Sequence, residues 1–190
     1  MQAKVISLTR LSENYWRLRL TKPSGFNFQA GQYISLLVHP DGHRRTYSIS
    51  SPPSTSYLDL LADVTPLGLG SRYILSLNSG GTINFIGPLG KFVKTSDGLF
   101  LAGGSGIAPY MSMQASSILW SLRRKSDAFP VKNTQIFYTR QRLTGYLKSL
   151  TQVSNSHVYL CGSSSYVTSL TKHLLSLGID PTRLHTEKFV

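Results

Sequence analysis

The chain has a single cysteine, Cys161, among 190 residues. No intrachain disulfide can form from it, and no set of cysteines exists that could hold an iron–sulfur cluster or a structural zinc. A reducing compartment fits that usage. Acidic side chains are also scarce: 8 Asp and Glu stand against 20 Lys and Arg, for a formal charge of +12 and a sequence pI of about 10.0. The surplus is not a tail, since residues 1–98 carry ten basic and five acidic side chains and residues 99–190 carry ten and three. A positive field spread in this way favours acidic proteins, nucleotides or nucleic acid as partners. No apolar run approaches membrane-spanning length, and no signal-type apolar core opens the chain, where Met1-Gln2-Ala3-Lys4-Val5 starts directly on an alternating pattern. There is no internal repeat and no low-complexity tract. A soluble cytoplasmic protein of one domain, or two small ones, is the expectation.

What is present concentrates in Arg44-Arg45-Thr46-Tyr47-Ser48-Ile49-Ser50-Ser51, followed by Pro52-Pro53. An Arg fork pairs with a phosphate in bidentate fashion, a Tyr ring offers a face for stacking, and a Ser hydroxyl bonds a ring nitrogen in either direction. These are the groups that hold a planar, phosphate-bearing cofactor. By itself the stretch also reads as an ordinary strand with a basic end.

Around it the pattern is strand-like. Tyr15-Trp16-Arg17-Leu18-Arg19-Leu20 alternates with period two, and Tyr33-Ile34-Ser35-Leu36-Leu37-Val38 is rich in β-formers. Residues 46–50, 57–64 and 82–86 continue the series, with turns at Pro23-Ser24-Gly25, Ala30-Gly31, Pro40-Asp41-Gly42 and Gly87-Pro88-Leu89-Gly90. Short, evenly spaced strands predict an antiparallel barrel or sandwich. Gly68-Leu69-Gly70-Ser71-Arg72 opens a short helix whose backbone N–H groups suit an anion, or simply an N-cap.

Past Ser96 the texture changes. The apolar run Leu99-Phe100-Leu101-Ala102 meets Gly103-Gly104-Ser105-Gly106-Ile107-Ala108-Pro109, from which a helix is predicted to about Lys125. Strand, glycine turn and helix is the nucleotide-binding half of an α/β unit, although Pro109 stands where the last glycine of G-x-G-x-x-G would be. Further strands are predicted at residues 135–139, ending at Arg140-Gln141-Arg142, at residues 157–160, ending at Cys161-Gly162, and at residues 183–189. A helix with a Leu170, Leu174, Leu175 core stripe precedes the last of these. The alternation implies a parallel sheet with its ligand crevice at the strands' carboxyl ends, where Gly103, Arg140 and Cys161 all fall.

A strand-rich half with Arg-x-Tyr-Ser, followed by an α/β half with Gly-Gly-Ser-Gly-Ile-Ala-Pro and then Cys-Gly, resembles the ferredoxin–NADP reductase superfamily of flavoproteins along nearly the whole chain. The resemblance implies two domains: a six-stranded antiparallel β-barrel over residues 1–96 that binds flavin, and a reduced parallel-sheet α/β domain over residues 97–190 that binds NADP or NAD. It implies that Arg45 pairs with the flavin phosphates, Tyr47 stacks on the isoalloxazine and Ser48 bonds near its N5, with Gly70-Ser71 as the second flavin segment. Residues 103–109, with Gly103, Gly104, Ser105, Gly106 and Pro109, resemble the pyridine-nucleotide pyrophosphate loop. Cys161-Gly162 is similar to the pair beside the nicotinamide, and Thr139-Arg140 to the segment that reads a 2'-phosphate. Glu187-Lys188-Phe189 matches the acidic-x-aromatic terminus, in which Phe189 covers the flavin and Glu187 orients the reacting ring.

Two departures stand out. Only 54 residues separate Gly106 from Cys161, so one β/α unit is expected to be missing, and Ser163 replaces the usual Pro after Cys-Gly. The implied function is hydride transfer from NAD(P)H to a bound flavin, FAD with FMN left open, and then electrons to an external acceptor. Ser48, Cys161 and Glu187 are the residues implied in the reaction, and no metal is required. The charge favours an acidic acceptor such as ferredoxin, flavodoxin or an oxygenase component, and a monomer is expected. The rivals are a flavin-binding module without NAD(P)H turnover and a basic nucleic-acid-binding barrel; for the latter, only residues 15–19 offer basic–aromatic alternation, so nucleic acid is not expected.

Overall fold

The computed structural model describes residues 1–65, 67–150 and 156–189. Its first part holds β1 (Gln2–Arg10), β2 (Tyr15–Thr21), β3 (Tyr33–Leu37), β4 (Arg44–Ser48), β5 (Tyr57–Asp63), α1 (Leu69–Ser76) and β6 (Thr82–Leu89). All six strands pair antiparallel in the order β4-β3-β6-β1-β2-β5. Period-two alternation sets one face inward: Ala3 and Val5 of β1, Leu18 and Leu20 of β2, and Ile34 and Leu36 of β3 join Phe26, Phe85 and Ile74 of α1 in one core. The expected barrel is not closed by a full ladder. The end strands meet through a single bridge, Ile49 to Leu60, and through Ser50 N–H donating to Asp59 O at 2.7 Å.

The second part holds β7 (Gly98–Gly103), α2 (Ala108–Ser112), β8 (Ile118–Ser121), β9 (Thr134–Phe137), α3 (Arg140–Ser149), β10 (His157–Ser163), α4 (Ser164–Ser176) and β11 (Leu184–Phe189). These strands are all parallel, in the order β11-β10-β7-β8-β9. Chain order therefore reverses at β7, and a crevice at the carboxyl ends of β7 and β10 is the place where such a sheet accepts a ligand.

The central strands β7, β8 and β10 are buried on both faces, which is why they read as continuous apolar runs. Leu101, Leu119, Val158 and Leu160 face α3 and α4. Phe100, Ala102, Ile118, Trp120, Tyr159 and Cys161 point the other way, into a core that includes α2, Phe129 and three residues of the first part, Tyr15, Leu61 and Phe92. Leu61 explains why β5 is buried on both faces: Leu58, Leu60 and Ala62 enter the first core while Leu61 enters the shared one.

Four expectations are corrected. The helix predicted to Lys125 stops at Ser112, and Ile118–Ser121 is a strand; positive φ at Gln114 marks the break between them. No strand of the alternation is lost on this account. The shortening lies in the connections, where α2 is five residues long and residues 122–133 contain only a 3-10 turn at Lys125–Asp127. Gly87-Pro88-Leu89 continues β6 past a register shift, pairing Leu89 with Tyr33, and is not a turn. Leu170 and Leu174 are buried as expected, but Leu175 is 42% exposed, because successive helix positions step about 100° around the axis and Leu175 falls off the buried stripe.

Candidate active site

Two motif segments far apart in sequence meet at the start of α1. A Cβ at Gly70 would lie 2.8 Å from the Tyr47 hydroxyl and 2.9 Å from Arg45 Cγ, so only glycine lets those side chains cross the helix there. The first N–H groups of α1 have no acceptor within the helix, and Gly68 caps it without a side-chain bond. Arg45 is exposed, and among the described residues its guanidinium donates only to the neighbouring Arg44 O at 2.7 Å. A cation beside a helix N-terminus is a site for phosphate. Ser71 is buried in the first turn of the same helix.

Tyr47 and Ser48 lead from this point into a cleft of about 400 Å³, whose lining includes Tyr33, Leu61, Asp63, Ser105, Glu187, Lys188 and Phe189. Ser48 is at the buried end of β4, and its hydroxyl has no hydrogen bond among the described residues. Burial, against the opposing pull of Arg45, pushes the Tyr47 hydroxyl up to about 12, so it is a neutral ring with a protonated tip at physiological pH. Burial also raises the Glu187 carboxyl above the ordinary carboxylate range. Its neighbour in register is Cys161.

A second cleft of about 630 Å³ opens along the carboxyl ends of β7, β8, β9 and β10. Gly103, Gly104, Ser105 and Arg140 line it, with Ser121, Arg123, Arg124, Ser163, Ser165 and Tyr166. Phe189, Ser105 and Asp63 line both clefts, so the two adjoin. The glycine loop is held tightly from behind. A Cβ at Gly106 would fall 2.2 Å from Cys161 O, and the Tyr166 hydroxyl donates to Ala102 O at 3.0 Å. Arg140 is the first residue of α3 and donates to Ser169 Oγ at 3.0 Å, while Thr139 caps that helix by accepting from Arg142 N–H. Ser163, in place of proline, caps α4 by accepting from Tyr166 N–H at 3.3 Å.

The residues expected from sequence thus fall into four groups. Tyr47, Ser48, Glu187 and Phe189 come together in the smaller cleft, and Gly103, Gly104, Ser105 and Arg140 in the larger. Arg45, Gly70 and Ser71 form the phosphate corner. Gly106, Pro109 and Gly162 act from beneath as backbone and packing. Cys161 departs from expectation: its side chain is 0% exposed and lines neither cleft. Alternation along β10 turns it into the shared core, where burial first and the Glu187 charge second hold its thiol well above its ordinary range. It is a neutral core thiol there.

Asp63, Arg123 and Arg124 were missed. The two arginines follow a strand that had been read as helix, which hid their position at a strand's carboxyl end. The basic–aromatic stretch of β2 offers no free stripe: Tyr15 is buried, and Arg19 makes a bidentate pair with Asp59 at 2.8 Å while lying over the Tyr57 ring at 3.8 Å. Among the described residues no group of His, Cys, Asp and Glu could hold a metal ion, and no helix is long and apolar enough to cross a membrane.

The corner at Arg45 and Gly70, the ring face of Tyr47 and the Ser48 hydroxyl are groups that fit a flavin. Residues 2–93 match the family model of the oxidoreductase FAD-binding domain. The chain is 27% identical over 237 residues to a ferredoxin–NADP reductase B of Sorangium cellulosum, covering 99% of this chain and 97% of that one. It is 25% identical over 226 residues to the toluate 1,2-dioxygenase electron transfer component of Pseudomonas putida, covering 99% of this chain and 67% of the relative. Other relatives are longer, and the chain spans 51% of a Bacillus subtilis flavohemoprotein. The same fold occurs in the FAD/NAD-binding domain of a nitric oxide dioxygenase from Vibrio cholerae, with a TM-score of 0.84 at 19% identity, covering 99% of this chain and 98% of that one. Residues 2–93 thus carry the pattern of an FAD-binding oxidoreductase domain, and over nearly its whole length the chain is similar to flavin- and pyridine-nucleotide-dependent oxidoreductases of the ferredoxin–NADP reductase type.

Proposed function

We propose that this chain is an NAD(P)H-dependent flavin reductase in which residues 1–96 hold FAD, residues 97–190 present the nicotinamide nucleotide, and electrons leave to an external redox protein. The observation that carries this reading is the junction of the two clefts at Phe189, Ser105 and Asp63. The flavin supplies the chemistry, accepting a hydride from the nicotinamide and releasing electrons to the acceptor. The protein supplies geometry, charge and exclusion of water.

Arg45 and the N–H groups at the start of α1 hold phosphate, and Tyr47 gives the ring a face. Ser48 offers a hydroxyl that donates or accepts as the ring's protonation changes. Phe189, which lines both clefts, would cover the ring until the nicotinamide takes its place. Glu187, its carboxyl raised above the ordinary range by burial, lines the smaller cleft beside Phe189 as a hydrogen-bonding group. Ser105 and its glycine neighbours would take the pyrophosphate, and Arg140, with Arg123 and Arg124 lining the same cleft, would pair with a 2'-phosphate.

The net charge of +12 favours an acidic acceptor such as a ferredoxin, a flavodoxin or an oxygenase component. Electron transfer to that acceptor should fall steeply with ionic strength, and a flat response removes the electrostatic part of the proposal. The reading as a whole is tested by the visible spectrum of the FAD-loaded protein and its anaerobic response to NADPH and NADH. Bleaching by either nucleotide is expected. A protein that binds no flavin overturns the reading, and a yellow protein that neither nucleotide bleaches reduces it to a flavin-binding module. Arg140→Ala should narrow the preference between NADPH and NADH; an unchanged ratio removes the 2'-phosphate role.

A further inference from the structure

We propose that Trp120 and Tyr15 are positioning residues for the nucleotide loop, fixing the peptide plane at Gly104 from behind so that the flavin-binding half sets the shape of the nucleotide site. The proposal rests on the larger cleft being the nucleotide site. Trp120 is wholly buried on β8, and its indole N–H donates to Gly104 O at 2.8 Å. The Gly104–Ser105 peptide is trans, so with its carbonyl drawn to the indole, the Ser105 N–H on the opposite edge points away from Trp120. Ser105 lines both clefts. One hydrogen bond thus aims a donor of the loop.

Tyr15 completes the support. Its hydroxyl lies 3.2 Å from where a Cβ at residue 104 would be, and Gly104 has φ +56°, so both the space and the backbone conformation there are suited to glycine. Tyr15 belongs to β2, in the antiparallel sheet, while Trp120 belongs to the parallel one. The ring of Phe129 joins them, with its centroid 5.0 Å from Trp120 in an edge-on arrangement and 5.7 Å from Tyr15. Phe129 can reach them because residues 122–133 contain no α-helix and fold back onto the β1–β2 turn. There Asn14 Nδ2 donates to Asp127 Oδ1 at 2.7 Å, and Glu13 N–H to Ser126 O at 3.1 Å. The shortened connection of this chain is what ties the loop to the other half.

The test is calorimetric titration of the FAD-loaded protein with NADP+ and NAD+, alongside FAD affinity, melting temperature and steady-state kinetics. Trp120→Phe keeps the ring and deletes the N–H. It should weaken nucleotide binding about tenfold, the effect of leaving one part-buried carbonyl without its donor. KM for NAD(P)H should rise with it, while kcat and FAD affinity hold. Tyr15→Phe deletes the hydroxyl that abuts Gly104 and is hydrogen-bonded with Asp63, a residue lining both clefts, and should weaken nucleotide binding about threefold. Wild-type nucleotide affinity in Trp120→Phe overturns the proposal, as does an equal loss of FAD affinity, which marks a structural role only. If Trp120→Phe does not fold, unchanged nucleotide affinity in Tyr15→Phe overturns it. A wild-type protein that binds FAD but neither nucleotide overturns both this proposal and the assignment of the cleft, whereas nucleotide binding that ignores both substitutions overturns this proposal alone.

Discussion

The two sheets cover their apolar faces differently. The antiparallel sheet curls toward itself until its end strands touch at Ile49 and Leu60, with Ile74 of α1 in its core, and needs nothing from the second half for that purpose. The parallel sheet covers one face with its own α3 and α4 but shares the other with Tyr15, Leu61 and Phe92 of the first half. In a doubly wound sheet, helices serve both faces. Here the connections that would carry them on the second face are short, and the neighbouring sheet takes their place. The first half is equipped to stand as a unit; the second is completed by contact.

That contrast can be broken most forcefully at its hinge. Phe129→Ala should destabilise the protein by about 3 kcal/mol, the usual scale for truncating a buried aromatic ring. Because Phe129 touches both halves, unfolding should remain a single transition when followed by far-ultraviolet circular dichroism and by tryptophan emission. Two separated transitions would show that the halves do not depend on one core. Next in size is Arg45→Ala, which should weaken FAD binding by about 2 kcal/mol through loss of a charge-assisted bond. The melting temperature of the flavin-free protein should stay unchanged, since Arg45 is exposed and, among the described residues, bonds only to its neighbour. A fall in both would place Arg45 in the scaffold and not the site.

Asn14→Ala sharpens the same comparison with a smaller effect. Loss of its bond to Asp127 should cost about 1 kcal/mol in denaturant unfolding, and should speed hydrogen exchange in residues 122–133 more than in β1 or β6. The smallest effect expected is at Glu187. Its folded-state carboxyl is raised by burial, so its contribution to stability is complete below the ordinary carboxylate range and is lost as pH rises through the raised value. Glu187→Gln should remove that dependence, a change of about a few tenths of a kcal/mol once solvent screening of a half-exposed group is allowed for. An unaltered stability–pH curve would contradict the assignment.

The same contrast governs how much could be read from residues alone. The first half was legible because its signals are local: alternation places β1 to β5, and Arg45, Tyr47 and Ser48 lie on one short strand. The phosphate corner was readable as two separate motifs, but their meeting at Gly70 depends on a close approach that no local pattern encodes. In the second half, Leu99–Ala102 and residues 157–160 announced themselves as buried strands. Ile118–Ser121 did not, because an apolar run of that length suits a helix or a strand equally. Missing β8 hid Arg123 and Arg124, made the shortening look like a lost strand, and concealed Trp120 as a partner of Gly104. Cys161 lies inside β10, which runs to Ser163 and not only to residue 160, and alternation along that strand turns its thiol into the shared core.

The central claim is that a nucleotide in the larger cleft delivers hydride directly to a flavin in the smaller one, across the junction at Phe189. It is tested most directly by mixing FAD-loaded protein anaerobically with NAD(P)H deuterated at one or the other C4 position and weighing the oxidised nucleotide by mass spectrometry. A site with one fixed stacking face predicts that one diastereomer loses its deuterium completely while the other keeps it. Oxidation that removes deuterium from both positions alike, or no oxidation of the nucleotide at all, would contradict the account.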